Sequence, residues 1–200
     1  MKHLSILILL ITIIPACHKE KSTTQQFNST DFPISVGSWW KYKHIDFLAN
    51  TTDTMLLRVI SSKSSGSLKE YICIIEEYGQ TVDTAIVSIC DSLIIYKGVD
   101  LGYSYFGNFL LKIPFSVASE WRNPSAGDST KVVSYTEKVN ILDKFYNIYF
   151  LKRTAMGPGY SIVQTISVAK GIGIVEHNLS FFNGGPVQHQ NLKLINYELK

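Results

Sequence analysis

Apolar and polar residues alternate along most of this chain, and this alternation constrains the fold more than any other feature of the sequence. From Val175 to Phe181, every second residue is apolar or histidine, and the residues between them are polar. A period of two residues is typical of an antiparallel strand with one buried face. Clusters of Gly, Pro, Asn and Ser separate such segments at intervals of about 8–12 residues, with no helical pattern between them. The sequence therefore predicts an all-β antiparallel meander that forms a curved sheet, as a barrel-like or sandwich domain.

The predicted strands cover residues 39–48, 54–62, 70–78, 82–89, 92–97, 105–112, 130–139, 145–153, 159–169, 175–182 and 187–199. The strand at 145–153 differs from the others because both of its faces are apolar: Tyr149 and Leu151 lie on one face, and Tyr146 and Phe150 on the other. Such a strand is buried on both sides, or it turns one face towards a cavity.

A short motif occurs twice. Residues 33–40 and 114–121 align without a gap, 81 positions apart, and share Pro, Ser, Val, Ser and the final Trp. We interpret this as a chain of two related halves, in which Trp40 and Trp121 anchor the core at equivalent places. The alternative is a chance match in a chain rich in Ser and Val.

The first sixteen residues are typical of a secretory signal. Lys2 precedes an apolar run over residues 4–14, which is shorter than the roughly 20 residues that a membrane-spanning helix needs. Residues 14–17, Ile-Pro-Ala-Cys, resemble the bacterial lipobox. The resemblance implies cleavage before Cys17 and attachment of acyl chains such as palmitate to that residue. The alternative is an ordinary secretory peptide in which Cys17 is incidental.

These features predict the domain organisation: a signal peptide over residues 1–16, a flexible tether with lipidated Cys17 over residues 17–31, and a single antiparallel β domain over residues 32–200. They also predict a protein of the bacterial cell envelope, held by its lipid on the outer membrane, at the periplasmic face or the cell surface. In that oxidising compartment Cys73 and Cys90, which lie on neighbouring predicted strands, form either a disulfide or two buried free thiols.

Residues 32–42, FPISVGSWWKY, resemble the "FPLxxGxxWxY" opening of a group of envelope lipoproteins that is common in Bacteroidota. Residues 171–175, GIGIV, resemble the "GxGLV" strand start of the same group, which is followed by a closing strand like residues 192–199. The group is similar to the DUF3108-like and TapB-like proteins. The resemblance implies an antiparallel, barrel-like fold and no known set of catalytic residues.

Motifs that would identify a chemistry are absent from the sequence. The five histidines do not have the sequence spacing of metal ligands. His44, His177 and His189 could come together only through tertiary contacts, so no metal or cofactor site is predicted. No G-x-S-x-G motif of an α/β-hydrolase occurs. Glu76 and Glu77 are adjacent in a strand, so their side chains point to opposite faces, and we expect them at a solvent-exposed edge rather than as a catalytic pair. The net charge of +3 is small and scattered, which argues against a nucleic-acid partner.

The sequence favours a non-catalytic binding or assembly role over catalysis, with an envelope protein or an apolar ligand as the partner. One alternative is a carrier that holds an apolar ligand in a cavity of the sheet, for which Tyr146, Phe150 and His177 are the candidate lining residues. The other alternative is an envelope enzyme whose catalytic residues converge only in the folded protein.

Overall fold

The computed structural model describes residues 26–98, 109–123 and 128–200 of the chain. The predicted signal peptide and Cys17 lie outside the described residues. A short 3-10 turn at Ser29–Asp31 precedes twelve strands. These are β1 Trp39–Asp46, β2 Thr51–Ser65, β3 Leu68–Glu77, β4 Gln80–Cys90, β5 Leu93–Gly98, β6 Phe109–Lys112, β7 Glu120–Asn123, β8 Asp128–Ile141, β9 Lys144–Gly157, β10 Tyr160–Ala169, β11 Gly173–Asn183 and β12 Gln188–Glu198.

The prediction of an all-β antiparallel sheet is confirmed. The differences concern one short strand and the bounds of others. The sequence pattern did not predict the four-residue strand β7, and it ended β9 four residues too early, at Arg153 rather than Gly157. The predicted strand at 105–112 is observed from Phe109, and its first residues lie outside the described part of the chain. Within the described ranges, no helix is long and apolar enough to cross a membrane.

All twelve strands form one antiparallel, nearly closed barrel-shaped sheet, in the order β6-β5-β4-β3-β2-β1-β12-β11-β10-β9-β8-β7. The first and last strands pair at the middle of this order, where Trp39 lies opposite Glu198. The edge strands β6 and β7 come together at the opposite side. There the indole Nε1 of Trp121 donates a hydrogen bond of 2.9 Å to the backbone oxygen of Leu110.

The repeated motif forms the same local structure twice, which supports the interpretation of two related halves. Gly37 and Ala118, at matching positions, both have positive φ, of 90° and 68°. Gly37 N–H donates to the oxygen of Val59, and Ala118 N–H donates to the oxygen of Val132, at 2.9 and 3.0 Å. The prediction that both motif tryptophans are buried is confirmed, with Trp40 at 3% and Trp121 at 7% exposure.

Aromatic side chains fill much of the inner face of the sheet. Phe27, Tyr42, Phe115 and Tyr149 are fully buried. Phe27 stacks on Phe115, with ring centroids 4.8 Å apart, and meets the ring of Tyr149 edge-on. Backbone hydrogen bonds join Phe27 and Phe115 in both directions.

The position of Phe27 corrects the C-terminal bound of the predicted tether, residue 31. Residues 27–31 belong to the folded domain, because Phe27 lies in the core and Asp31 forms an ion pair with Lys170 at 3.0 Å. Phe27 is a single apolar residue in a polar run, so the sequence pattern does not predict its burial. The free energy gained by burying its ring exceeds the entropy lost when its polar neighbours become ordered. The folded domain therefore begins no later than Phe27.

Of the two alternatives for Cys73 and Cys90, a disulfide or free thiols, the structure has free thiols, with Cys73 buried and Cys90 half-buried. Cys73 lies opposite Ala85, because the β3–β4 turn is centred on Tyr78 and Gly79. Cys90 is five residues further along β4, about 17 Å at the usual rise of a strand, whereas a disulfide needs Cα atoms within about 7 Å. Burial raises the pKa of the Cys73 thiol to about 12.

Candidate functional site

The inner face of the sheet changes from apolar to polar towards one end. We call this the lower end; it carries the β1–β2, β3–β4, β9–β10 and β11–β12 turns. Along β1, for example, the inward side chains run Trp40, Tyr42, His44, and along β2 they run Leu57, Met55, Asp53 towards this end. We call the inward polar side chains near the lower end the polar layer: His44, Asp53, Glu77, Asp83, Asp128, Arg153, Gln164 and His177. The polar layer is the candidate functional site.

One part of the polar layer is a buried network around Arg153. Its guanidinium contacts Asp128 Oδ2 through Nε at 2.7 Å and through the NH2 nitrogen at 2.5 Å, and donates a third bond of 2.7 Å to Gln164 Oε1. Arg153 and Asp128 are on neighbouring strands and are only 8% and 6% exposed. A buried charge has to be paired in this way, because an isolated one loses its hydration without compensation.

His177 lies next to this network and is neutral at physiological pH. Burial, with a smaller contribution from the charge of Arg153, lowers the pKa of His177 to about 3. An imidazole that does not take up a proton near neutral pH is a poor general base. We therefore assign His177 a role in the packing of the polar layer rather than in acid–base catalysis.

The structure does not bring the predicted cavity residues Tyr146, Phe150 and His177 together. His177 pairs across the sheet with Ile166, and Ile166 pairs with Leu151, so His177 shares the inner face with Leu151. Phe150 alternates with Leu151 and therefore lies on the outer face, where it is half-buried. Phe150 and His177 therefore cannot line one cavity, because they lie on opposite faces of the sheet.

Tyr146 is half-buried at the upper end of the sheet, away from the polar layer. Its hydroxyl lies 2.5 Å from the hydroxyl of Tyr197. Burial and this hydrogen bond raise the pKa of Tyr146 to about 12. The two tyrosines therefore hold strands β9 and β12 together instead of lining a ligand cavity with His177.

A second part of the polar layer is a cluster that we call the His44 cluster, formed by His44, Asp53 and Glu77. His44 Nδ1 lies 3.1 Å from Asp53 Oδ1 and 3.4 Å from Glu77 Oε1. The three side chains are only 7%, 11% and 12% exposed. The hydroxyl of Tyr78 donates a bond of 3.4 Å to the other oxygen of Asp53, and the charge of Asp53 raises the pKa of Tyr78.

The His44 cluster is not predicted from the sequence. Glu76 and Glu77 lie on opposite faces of β3, as predicted, and Glu76 pairs on the outer face with Arg58 at 3.6 Å, but Glu77 is not part of a solvated edge. Glu77 instead ends the inward series Cys73, Ile75, Glu77. One feature of the sequence indicates the inward position of Glu77: a charged residue continues an apolar series of period two at the end of a strand.

A cleft of about 370 Å³ lies beside the His44 cluster, on the outer side of β1, β2 and β3. Its lining combines charged and apolar side chains, and it includes Asp53. The contributing residues are Lys41, Asp53, Thr54, Leu56, Glu76, Tyr78 and Gly79. Asp53 therefore belongs to both the cleft and the polar layer.

Comparison with solved structures places this architecture among known folds. A "putative exported protein with YmcC-like fold" from Bacteroides fragilis is 13% identical and matches with a TM-score of 0.50, over 84% of this chain and 98% of that chain. A "putative lipoprotein" from Parabacteroides distasonis is 9% identical and matches over the same shares, with a TM-score of 0.43. No family profile and no curated protein matches the chain. The first similarity shows that this chain shares the YmcC-like fold.

Proposed function

We propose that this protein is a lipoprotein of the bacterial cell envelope, anchored in the outer membrane through Cys17, and that its β domain acts by binding rather than by catalysis. The signal sequence and the lipobox-like residues 14–17 support the anchor. The fold shared with the exported protein of Bacteroides fragilis is compatible with it. The motifs at residues 32–42 and 171–175 support the narrower resemblance to the DUF3108-like and TapB-like envelope proteins.

The polar layer is the observation that carries the binding role. Its side chains are fixed on strands by ion pairs and hydrogen bonds, as in a preorganised site for a polar ligand or partner. The upper half of the inner face is filled by buried aromatic side chains, which leaves a carrier of apolar ligands less well supported. The neutral His177 argues against acid–base catalysis at this layer.

The proposed anchor would orient the domain with its lower end away from the membrane. Gln26 accepts a hydrogen bond from Lys170, which lies in the β10–β11 turn at the upper end. Gln26 is nine positions after Cys17, and even a fully extended chain spans only about 30 Å over nine positions. The polar layer and the cleft would therefore face the surrounding compartment.

Membrane fractionation with labelled palmitate tests the anchor. Wild type and the control variant Cys90→Ser should carry label and sediment with the outer membrane. Cys17→Ser should lose the label and leave the membrane, or accumulate as uncleaved precursor. If Cys17→Ser is labelled and fractionates like wild type, the lipoprotein proposal is wrong.

Native mass spectrometry of the protein extracted from its own membrane tests the binding role. We expect bound mass on wild type, lost in the cleft double variant Lys41→Ala/Glu76→Gln and retained in the control Lys152→Ala, which changes an exposed lysine on β9. Turnover of a hydrolase substrate panel that disappears in His177→Ala would instead establish an enzyme.

A further inference from the structure

We propose that His44, Asp53 and Glu77 form a binding site for a divalent transition-metal ion of the zinc class. The proposal goes beyond the envelope role, because it concerns the chemistry of the His44 cluster whether or not Cys17 carries lipid. One nitrogen and two carboxylate oxygens, from three neighbouring strands, converge with all their ligand atoms within 4.8 Å of one another.

The separations fit a tetrahedral metal ion. Zinc binds imidazole nitrogen and carboxylate oxygen at about 2.0–2.2 Å, which places neighbouring ligand atoms of a tetrahedron roughly 3.3–3.6 Å apart. His44 Nδ1 is 3.1 Å from the oxygen of Asp53 and 3.4 Å from that of Glu77. The two carboxylate oxygens lie within 4.8 Å of each other, so they need to approach only if they are further apart than the roughly 3.6 Å of a tetrahedral site.

The hydrogen bonding of the cluster also points to a cation. Glu77 Oε1 is fully buried and accepts no hydrogen bond from the described residues, although it faces His44 Nδ1 at 3.4 Å. A single ring N–H is directed at one acceptor, and Nδ1 already meets Asp53 at 3.1 Å. A metal ion would bind both carboxylates and the nitrogen at once, and so compensate for the burial of Glu77.

The surroundings of the cluster are those of a supported site. His44 and Asp53 are directly opposite each other in the register of β1 and β2, so the sheet fixes their spacing. Tyr78 donates to the second oxygen of Asp53, as an outer partner does when it orients a metal ligand. A mixed imidazole and carboxylate set favours zinc over calcium and magnesium, which prefer oxygen alone.

Three protein ligands leave a fourth position, as in zinc sites that bind water or a ligand group. Asp53 also lines the 370 Å³ cleft, so a fourth ligand can reach the cluster from that side. The ligand class that fits a zinc ion with this access is a small anion or a carboxylate group of a partner.

Zinc titration of the full, untagged chain in detergent, stripped of metal with a chelator, tests the proposal by calorimetry. Wild type should bind one zinc ion. The isosteric variants Asp53→Asn and Glu77→Gln should each weaken binding by more than about 100-fold, because the loss of a ligand exceeds the roughly 10–100-fold effect of losing an outer partner. Tyr78→Phe should weaken it about 10-fold.

Glu70→Gln is the matched control, since Glu70 lies on the same strand as Glu77 but on the opposite face and pairs with Lys63, and His18→Ala controls for binding near the N-terminus. Both should bind zinc like wild type. X-ray absorption of the zinc-loaded wild type, which needs no variant to fold, should show nitrogen and oxygen donors and no sulfur. Absence of zinc binding by wild type, sulfur donors, or binding unchanged in folded Glu77→Gln would overturn the proposal and leave the cluster as an ion-pair triad.

Discussion

Replacing Phe27 by alanine should destabilise the domain strongly, although the residue lies in a polar, N-terminal stretch of the sequence. Phe27 is fully buried, stacks on Phe115 at 4.8 Å and contacts Tyr149 edge-on at 5.8 Å. Truncation of a buried phenylalanine to alanine costs about 3–5 kcal/mol, which includes the lost ring contacts and the cavity that remains. We expect a loss of this size in the free energy of unfolding.

Urea unfolding of residues 17–200 carrying Cys17→Ser, followed by tryptophan fluorescence, measures this loss without the lipid. With a slope of about 2 kcal/mol per molar urea, the midpoint should fall by about 1.5–2.5 M. Phe145→Ala is the matched control, because Phe145 is 70% exposed and should change stability by no more than about 0.5 kcal/mol.

A double-mutant cycle with Phe115→Ala isolates the stacked pair. The coupling energy between Phe27 and Phe115 should be about 0.5–1.5 kcal/mol, as for other aromatic pairs. If Phe27→Ala shifts the midpoint no more than Phe145→Ala does, then Phe27 does not pack in the core. The domain boundary would then return to the predicted residue 32.

Three further predictions concern buried polar groups and thiols. Asp128→Ala should lower stability by about 3–5 kcal/mol, since it removes the carboxylate that compensates the buried charge of Arg153. The double variant Arg153→Met/Asp128→Leu should cost clearly less, and equal losses in urea unfolding would contradict this. Because the pKa of His177 is lowered to about 3 in the folded protein, the unfolded state binds the proton first. Stability should therefore fall as the pH decreases from about 6.5 towards 3, and His177→Gln should flatten the upper part of that decline, measured as thermal midpoint against pH. In the folded protein a thiol reagent should label Cys90 and spare Cys73 until denaturant is added, and mass spectrometry without reductant should show no internal bridge.

The strands could be predicted from the sequence because each depends on a local pattern. Alternation predicted eleven of the twelve strands, and the repeated Pro-to-Trp motif predicted two equivalent buried tryptophans, around which the structure forms the same local hydrogen bonds twice. The burial of Phe27 could not be predicted, because a single apolar residue in a polar run shows no periodic pattern. Its burial depends on the β-bridge to Phe115, 88 positions later, which forms only in the assembled domain.

The candidate site depends on register, which the sequence specified less well. The β3–β4 turn lies about three residues before the position that a Cys73–Cys90 bridge would require, and this shift changes which residues face each other. Glu77 meets His44, 33 positions earlier, only because β1, β2 and β3 are neighbours with matched faces. A single-residue slip in either pairing would send one of the ligands to the opposite face of the sheet.

The pairing of β1 with β12 sets the order in which such a chain can complete its fold as it emerges from its N-terminus onwards. All other neighbouring strands follow each other directly in sequence, so hairpins can form as soon as each segment emerges. Trp39 and Glu198, however, are 159 positions apart, and Ser38 Oγ also accepts a bond from the N–H of Lys200. When the chain emerges N-terminus first, the edge of β1 at Trp39 stays unpaired until Gln188–Glu198 has emerged. The strand edge is therefore open to misassembly for almost as long as the whole chain takes to emerge.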